Sequence, residues 1–391
     1  MRFIFVFLLM AFGWSADSLA QLNNVAFPFS YLNTNIKSLS LGNATVSLNG
    51  IGHDEITPAV AGEKGVIQVA PIWRNDSWTL RKSWKTRGLK MNYRTGSSNF
   101  GFSFHHYATN EQESTALFYV PFIYKYNHDE IHLATRYSYS FQSGLTVGTG
   151  LNYMYSSEGD GYASRNQKTK AADAWTLDIG ANYQFSDISF SQVTFQPHVG
   201  IALTDFGMPS RYVESNSSNP MPATLRIGGG TNISFNKKVD GREVLELSVM
   251  QNVSKIMART IQKPHENEMH VDAMNPFKAL IKSWGAYEYV ANGSEKKADL
   301  AEQLWWHSGM ELVFLESIAV RLGYQKAGKA EEQLSYWSLG AGIDLYYVVL
   351  DYTHINIKNY NNVFLKPHWQ ITGRIPLDGQ RPDTILDILS N

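Results

Sequence analysis

The chain has no cysteine among its 391 residues, which excludes disulfide staples, thiolate metal sites and cysteine nucleophiles. Charge is also scarce. Asp, Glu, Lys and Arg together make 18%, against roughly 25% in ordinary soluble domains. The net charge is −1, so nothing in the charge balance points to a nucleic-acid partner. After the first 20 residues no apolar run approaches the roughly 20 residues that a membrane-crossing helix needs. Any insertion into lipid must therefore come from strands, since only helices and closed barrels satisfy the backbone there.

Signs of chemistry are equally sparse. Walker loop, G-x-S-x-G and H-E-x-x-H patterns are absent. His265 and His270 stand five apart, where a zinc helix needs four. His105 and His106 adjoin in a strand pattern, so they point to opposite faces and cannot share a metal. His128-Asp129-Glu130 reads as a surface turn, and Glu158-Gly159-Asp160-Gly161 lacks the ligand count of a calcium loop. No catalytic residue, cofactor or metal is expected, and the chain is not read as an enzyme.

Aromatics, at 13%, are plentiful, and their placement organises the chain. In Trp175 to Phe185, W-T-L-D-I-G-A-N-Y-Q-F, every second residue is apolar and the alternate ones are polar or small. A strand puts these on opposite faces, with aromatics at both ends of the apolar row where a membrane strand sets its interfacial girdles. The pattern recurs near 88–95, 99–108, 116–126, 131–141, 145–155, 194–203, 223–235, 243–251, 305–315, 317–325, 334–343, 346–354 and 368–376. With the first stretch this makes about fourteen antiparallel strands. Long connections at 156–174, 204–222, 252–304, 326–333 and 355–367 alternate with short ones, as outside loops alternate with periplasmic turns. The expected fold is an all-β outer-membrane barrel over 88–377, with polar charges turned into the lumen. Asp178, Arg226, Glu246, Arg321, Asp351 and Arg374 are the lumen candidates, either pairing with something inside or lining a solute path. Lumen-facing glycines such as Gly148, Gly180, Gly323 and Gly340 leave room for an occupant.

The flanks differ. Arg2, an apolar run from Phe3 to Phe12 and Ser18-Leu19-Ala20 read as a secretory signal over 1–20, removed before Gln21. Destination and strands together point to the outer membrane of a Gram-negative bacterium. Residues 21–87 lack long alternation and carry Gly, Pro and small residues, so they read as a mobile arm or as a plug inside the barrel. Within 252–304, Asn275-Pro276 followed by F-K-A-L-I-K-S-W predicts a helix with Pro in its first turn. Lys296 to Trp306 gives a second helical candidate. The last residues, 378–391, read as a periplasmic tail.

Several short motifs recur in a telling order. F-P-F-x-Y-L (Phe27 to Leu32) precedes S-x-x-L-G-N-A (Ser38 to Ala44) and T-P-A (Thr57 to Ala59). Pro222-Ala223-Thr224-Leu225-Arg226-Ile227-Gly228 follows, then Gly309-Met310-Glu311-Leu312, Val320-Arg321-Leu322-Gly323-Tyr324, Leu339-Gly340-Ala341-Gly342 and Leu350-Asp351-Tyr352. The series resembles the PorV/PorQ family of Bacteroidetes outer-membrane proteins, within the FadL-like barrel superfamily. Leu41 stands where that family usually has Met, and Thr57 where it has Asn. The resemblance marks Leu41, Gly42, Asn43, Ala44, Pro58 and Ala59 as plug residues. It implies a component of the type IX secretion system that binds and shuttles secreted cargo, associating with the large translocon barrel and the attachment complex. Pro276, Phe277, Leu280, Ile281 and Trp284 of the insertion are then the partner-docking candidates. The same superfamily supports a second reading, a FadL-type channel passing hydrophobic small molecules with a ligand in its lumen. A porin-like structural protein is a third. Outer-membrane lipid is a partner in all of them.

Overall fold

The computed structural model describes residues 25–377, apart from 32, 51–52, 80–81, 110–111, 118–120, 127–128, 158–161, 165–166, 169, 213–217, 236–237, 240–241, 266–267, 292–293, 330–334 and 358–366. The expected signal over 1–20 and the expected tail over 378–391 lie outside the described residues. Fourteen antiparallel strands form one closed wall. They are β1 Val66–Thr79, β2 Lys82–Thr95, β3 Ser98–Thr109, β4 Asp129–Ser140, β5 Leu145–Ser157, β6 Ala172–Gln184 and β7 Val193–Gly207. The second half is β8 Thr224–Phe235, β9 Leu245–Ile256, β10 Trp305–Phe314, β11 Ile318–Lys326, β12 Tyr336–Asp344, β13 Val348–Ile357 and β14 His368–Pro376. Each pairs with the next, and β14 returns to β1 from Val66↔Pro376 to Val69↔Gly373. Closure leaves the sheet without a free edge.

The two faces sort as the alternation predicts. On β6, Trp175, Leu177, Ile179 and Tyr183 are exposed on the outer surface. Thr176, Asp178 and Asn182 between them are buried inside. Outward aromatics gather at two levels. On the side of the longer loops lie the ring pairs Tyr153–Trp175, Tyr324–Trp337 and Tyr352–Trp369. On the side of the short turns lie Phe100–Tyr137, Tyr139–Phe141 and Tyr183–Phe185. Two aromatic girdles around an apolar band are the signature of a lipid-embedded barrel. His105 is buried inside the wall, whereas His106 points outward and meets Asp129 at 3.1 Å.

The strand total agrees with the sequence reading, but its membership does not. Residues 66–79 and 82–87, expected in the plug, are wall: β1 is a full strand and β2 starts at Lys82. Pro71 and the polar run Arg74-Asn75-Asp76-Ser77 hide the alternation of β1. Pro71 has no N–H to donate, and it lies past Val69, the last β1 residue paired with β14. Conversely, the expected strand 116–126 is not wall. Gln112–Leu117 and Pro121–Tyr126 pair only with each other, as a hairpin in a loop. Ala116 to Tyr124 is almost continuously apolar, which reads as a strand without saying where it goes.

The insertion after β9 holds hairpins Thr260–His265/Glu268–Ala273 and Tyr287–Ala291/Ser294–Ala298, with helix α2 over Pro276–Lys282 between them. A last turn, α3 (Leu300–Gln303), carries a capping box between Asp299 and Glu302. The helix expected over 296–306 shrinks to this turn, because Lys296 and Lys297 belong to the hairpin and Trp305 opens β10.

The plugged lumen as candidate functional site

The described residues of 25–64 run through the inside of the barrel. The short helix α1, Ile36–Ser40, is capped by Asn35, whose side chain accepts from the Ser38 N–H. Ile36 and Leu39 pack on Tyr336 and Ile355 of the wall. Leu41 then turns into Gly42 and Asn43, both left-handed at φ 62° and 61°, before Ala44. A Cβ on Gly323 of β11 would stand 2.2 Å from the Gly42 nitrogen, and one on Gly148 of β5 2.2 Å from the Pro58 carbonyl oxygen. The room that wall glycines leave is filled by plug backbone.

Polar pins hold the segment to the wall on several sides. The Asn43 amide donates to Gln325 at 2.9 Å and to the Tyr336 hydroxyl at 3.0 Å. Asn182 donates to the Ala59 carbonyl at 2.7 Å, and Arg74 to the Asn33 carbonyl at 2.8 Å. His307 meets the Gly42 carbonyl at 2.9 Å, and His198 meets Ser47 at 2.8 Å. Buried polar groups that are paired in this way specify one docked position.

Charge is paired in the same manner. Lys37 of the plug reaches Glu311 at 3.1 Å, Glu311 binds Arg321 at 2.5 Å, and Arg321 binds Asp351 at 2.6 Å. Glu55 of the plug meets Lys90 at 2.5 Å and takes hydrogen bonds from Thr34. Burial alone would push the Glu55 carboxyl up, but Lys90 and His105 overcome it and hold it down to about 2. Burial pushes the His53 imidazole down to about 3, with Lys37 adding to the effect. Asp178 binds Arg136 at 2.9 Å and accepts from Asn152 at 2.9 Å. Arg374 binds Asp344 at 2.7 Å and lies 3.5 Å from Glu63.

The predicted lumen residues therefore all lie on the inner side of the wall, in different places. Arg321 and Asp351 share one network. Asp178 belongs to a second, and Arg374 to a third at the short-turn rim. Arg226 donates to Thr204 at 2.6 Å, and Glu246 lies half-buried at the start of β9, across from Val313. Sequence reading missed Lys90, Arg136, Glu311 and Asp205. The first three sit at inward positions of alternating strands, so the signal that found Asp178 was available for them. Asp205 was hidden by a bulge. Leu177 pairs with Phe206 and Ile179 with Leu203, so Thr204 and Asp205 together oppose Asp178. Asp205 adopts φ 57°, and its N–H turns inward to the Asp178 carboxylate at 2.7 Å.

The lumen has two distinct kinds of space. At the short-turn rim a cavity of about 200 Å³ is lined by Lys37, His53, Glu311, Arg321, Asp351 and Arg374. Beside the bulge a hole of about 20 Å³ among Glu55, His105, His132, Arg136, Asp178 and Asp205 suits one water. Nearer the loops the lining turns apolar. Phe27 and Phe29 of the plug enter a pocket made by Tyr107, Met154, Ala172, Ala174, Met221 and Tyr212. The Phe29 ring lies 4.9 Å from Tyr107, and the Phe27 ring 5.6 Å from Tyr212. Phe27 is left-handed at φ 51°, held by its N–H to the Tyr212 hydroxyl at 2.8 Å. Of the docking candidates, Pro276 is buried, Leu280 is half-buried, and Phe277, Ile281 and Trp284 are exposed.

No protein-family profile matches the sequence, and a search of curated proteins finds no match. Among solved structures, the barrel is similar to the toluene transporter TbuX of Ralstonia pickettii, with 11% identity and a TM-score of 0.46 over 89% of this chain and 98% of that one. It is similar to the toluene transporter TodX of Pseudomonas putida, with 11% identity and a TM-score of 0.43 over 86% and 95%. The monoaromatic hydrocarbon channel CymD follows, with 12% identity and a TM-score of 0.41 over 89% and 97%. Closed wall, girdles and occupied lumen make this chain an outer-membrane β-barrel.

Proposed function

We propose that this barrel is an outer-membrane channel for small hydrophobic molecules, held shut by its own N-terminal segment. The observation that carries this reading is the apolar pocket on the loop side, where Phe27 and Phe29 of the plug are seated among Tyr107, Met154, Ala172, Ala174 and Met221. A benzyl side chain has the size of a one-ring hydrocarbon, so the space these rings fill would take such a ligand when the segment shifts. An emptied apolar hole of that kind is a binding site for an apolar ring. Phe27 is a non-glycine residue in the left-handed region, a conformation that disfavours it by roughly 1–2 kcal/mol, which eases its departure. The bulge at Thr204 and Asp205 interrupts the ladder between β6 and β7 opposite Asp178, on the same strand as Ala172 and Ala174 of the pocket, and offers a place for the wall to part.

The test is binding and passage of labelled toluene. A Phe27→Ala/Phe29→Ala barrel should bind toluene more tightly than the parent, and cells carrying the parent should take it up faster than cells lacking it. Absence of both effects would defeat the channel reading.

The second reading, the type IX secretion role implied by the PorV/PorQ resemblance, has one feature in its favour. The insertion presents Phe277, Ile281 and Trp284 to the outside on α2 and just beyond it. Its test is gentle pull-down from native outer membranes. A large translocon barrel or a cargo C-terminal domain retained by the parent and lost on deleting 276–304 would support it; retention by the deletion variant would clear the insertion of that role.

A further inference from the structure

The helix α2 is fixed to the barrel by a buried base. Arg259 donates to the Ser283 carbonyl at 2.6 Å, to the Gly285 carbonyl at 3.0 Å and to the Gln303 side chain at 2.8 Å. Its guanidinium also covers the Tyr287 ring, 4.9 Å from the centroid. Ala279 and Ser283 face this base and are buried. Among the described residues the opposite stripe is largely uncovered. Phe277 is 65% exposed, Ile281 69% and Trp284 45%. Phe277 and Ile281, four apart, lie on one face of α2, and exposed Trp284 follows just past its end.

What lies against that face is indicated by its neighbour. The Phe277 ring packs edge-on against Phe206 at 5.1 Å. Phe206 pairs with Leu177 and so shares its outward, lipid-facing side, one step below the girdle residue Trp175. Met208, 62% exposed, extends the same surface. The apolar stripe of α2 is thus continuous with the lipid-facing band at the level of the loop-side girdle. Lys278 and Lys282, four apart and exposed, flank it. That combination of apolar stripe, interfacial Trp and flanking lysines belongs to helices lying in a membrane interface. The fixed base means the stripe is held in place before lipid arrives.

We infer that α2 is a lipid-docking shelf: Phe277, Ile281 and Trp284 enter the outer leaflet beside β6 and β7, and Lys278 and Lys282 pair with anionic headgroups. The inference is independent of what crosses the lumen. It assigns to lipid the surface that the secretion reading assigns to a protein.

The absence of cysteine permits a clean test. A nitroxide is attached to Ile281→Cys, with Ile179→Cys in the mid-wall band and Glu288→Cys on the exposed insertion as references. Each full-length barrel is reconstituted into phosphatidylcholine–phosphatidylglycerol vesicles, with heat-modifiable mobility as the check of folding. Collision with oxygen, which concentrates in lipid, is compared with collision with a water-soluble nickel chelate. The label at 281 should favour oxygen several-fold more than the label at 288 and approach the one at 179. Nickel access equal to that at 288 would overturn the inference. So would shielding from both reagents in native outer membranes, which would mean a protein covers the face. Lys278→Glu/Lys282→Glu should raise nickel access at 281 in the anionic vesicles and leave it unchanged in pure phosphatidylcholine. An equal response in both would overturn the headgroup assignment.

Discussion

At the scale of single residues, adjacent positions on β6 face opposite solvents. Leu177 is on the outer surface one step inside the loop-side girdle, and Asp178 is buried with Arg136, Asn152 and the Asp205 N–H around it. Leu177→Arg should destabilise the barrel by about 1–3 kcal/mol through placing a charge in lipid between the girdle and the midplane. Asp178→Leu should destabilise it by about 3–5 kcal/mol for a different reason, since it strips a buried cation of its ion partner. Urea unfolding in vesicles should therefore show that both variants are damaged, but only the Asp178→Leu loss should be relieved by Arg136→Met in the same chain. Rescue of Leu177→Arg by that second change would contradict the sorted faces. Period-two spelling was enough to place Leu177 and Asp178 on opposite sides. It could not supply Asp178's partners, because Arg136 and Asp205 come from β4 and β7 and their meeting depends on register and on a bulge.

At the scale of elements, the plug is a polar strap seated on glycines. Gly323→Ala would drive a Cβ to 2.2 Å from the Gly42 nitrogen, where plug backbone cannot yield, whereas the Ser338 hydroxyl that crowds it from β12 can turn away. Overpacking of that kind costs about 1–3 kcal/mol, and it falls on docking of the plug rather than on the wall. The variant should keep heat-modifiable mobility while its N-terminal segment becomes sensitive to protease. Docking should also depend on pH. The His53 imidazole falls from 6.5 in the free chain to about 3 in the barrel, so the docked plug excludes a proton that the released plug accepts. Its contribution is complete above pH 6.5 and is lost as pH falls toward about 3, by up to about 1.4 kcal/mol per pH unit. Glu55, lowered from 4.5 to about 2, contributes above 4.5 and loses its share only as pH falls from there toward 2. Proteolysis of the segment between pH 6.5 and 4.5 should therefore report His53 without Glu55, and His53→Gln should flatten that part of the profile. Sequence motifs marked Leu41 to Ala44 and Pro58-Ala59 as plug, yet the boundary fell about twenty residues late. Pro71 and four polar residues in β1 outweighed an alternation that only pairing with β2 and β14 makes visible.

At the scale of the whole molecule, wall and plug are separable structures. The ladder from β1 round to β14 closes without using any described residue of 25–64 as a wall strand, so the wall's backbone pairing does not require the plug. Everything the plug contributes lies inside, where it neutralises charge in pairs: Lys37 with Glu311, Glu55 with Lys90 and Glu63 beside Arg374. Deleting 25–64 should therefore leave a heat-modifiable barrel whose lumen fills with water. Because the wall keeps Arg136 with Asp178 and Arg321 with Asp351 on its inner face, the opened path carries both signs and should pass small cations and anions with little preference. Planar-bilayer recording should show steady open steps for the deletion variant and silence for the parent. An equally silent deletion variant would mean that the wall collapses inward once the strap is gone, and the plug would then be scaffold rather than stopper. A parent that conducts would remove the resting closure on which the channel reading depends.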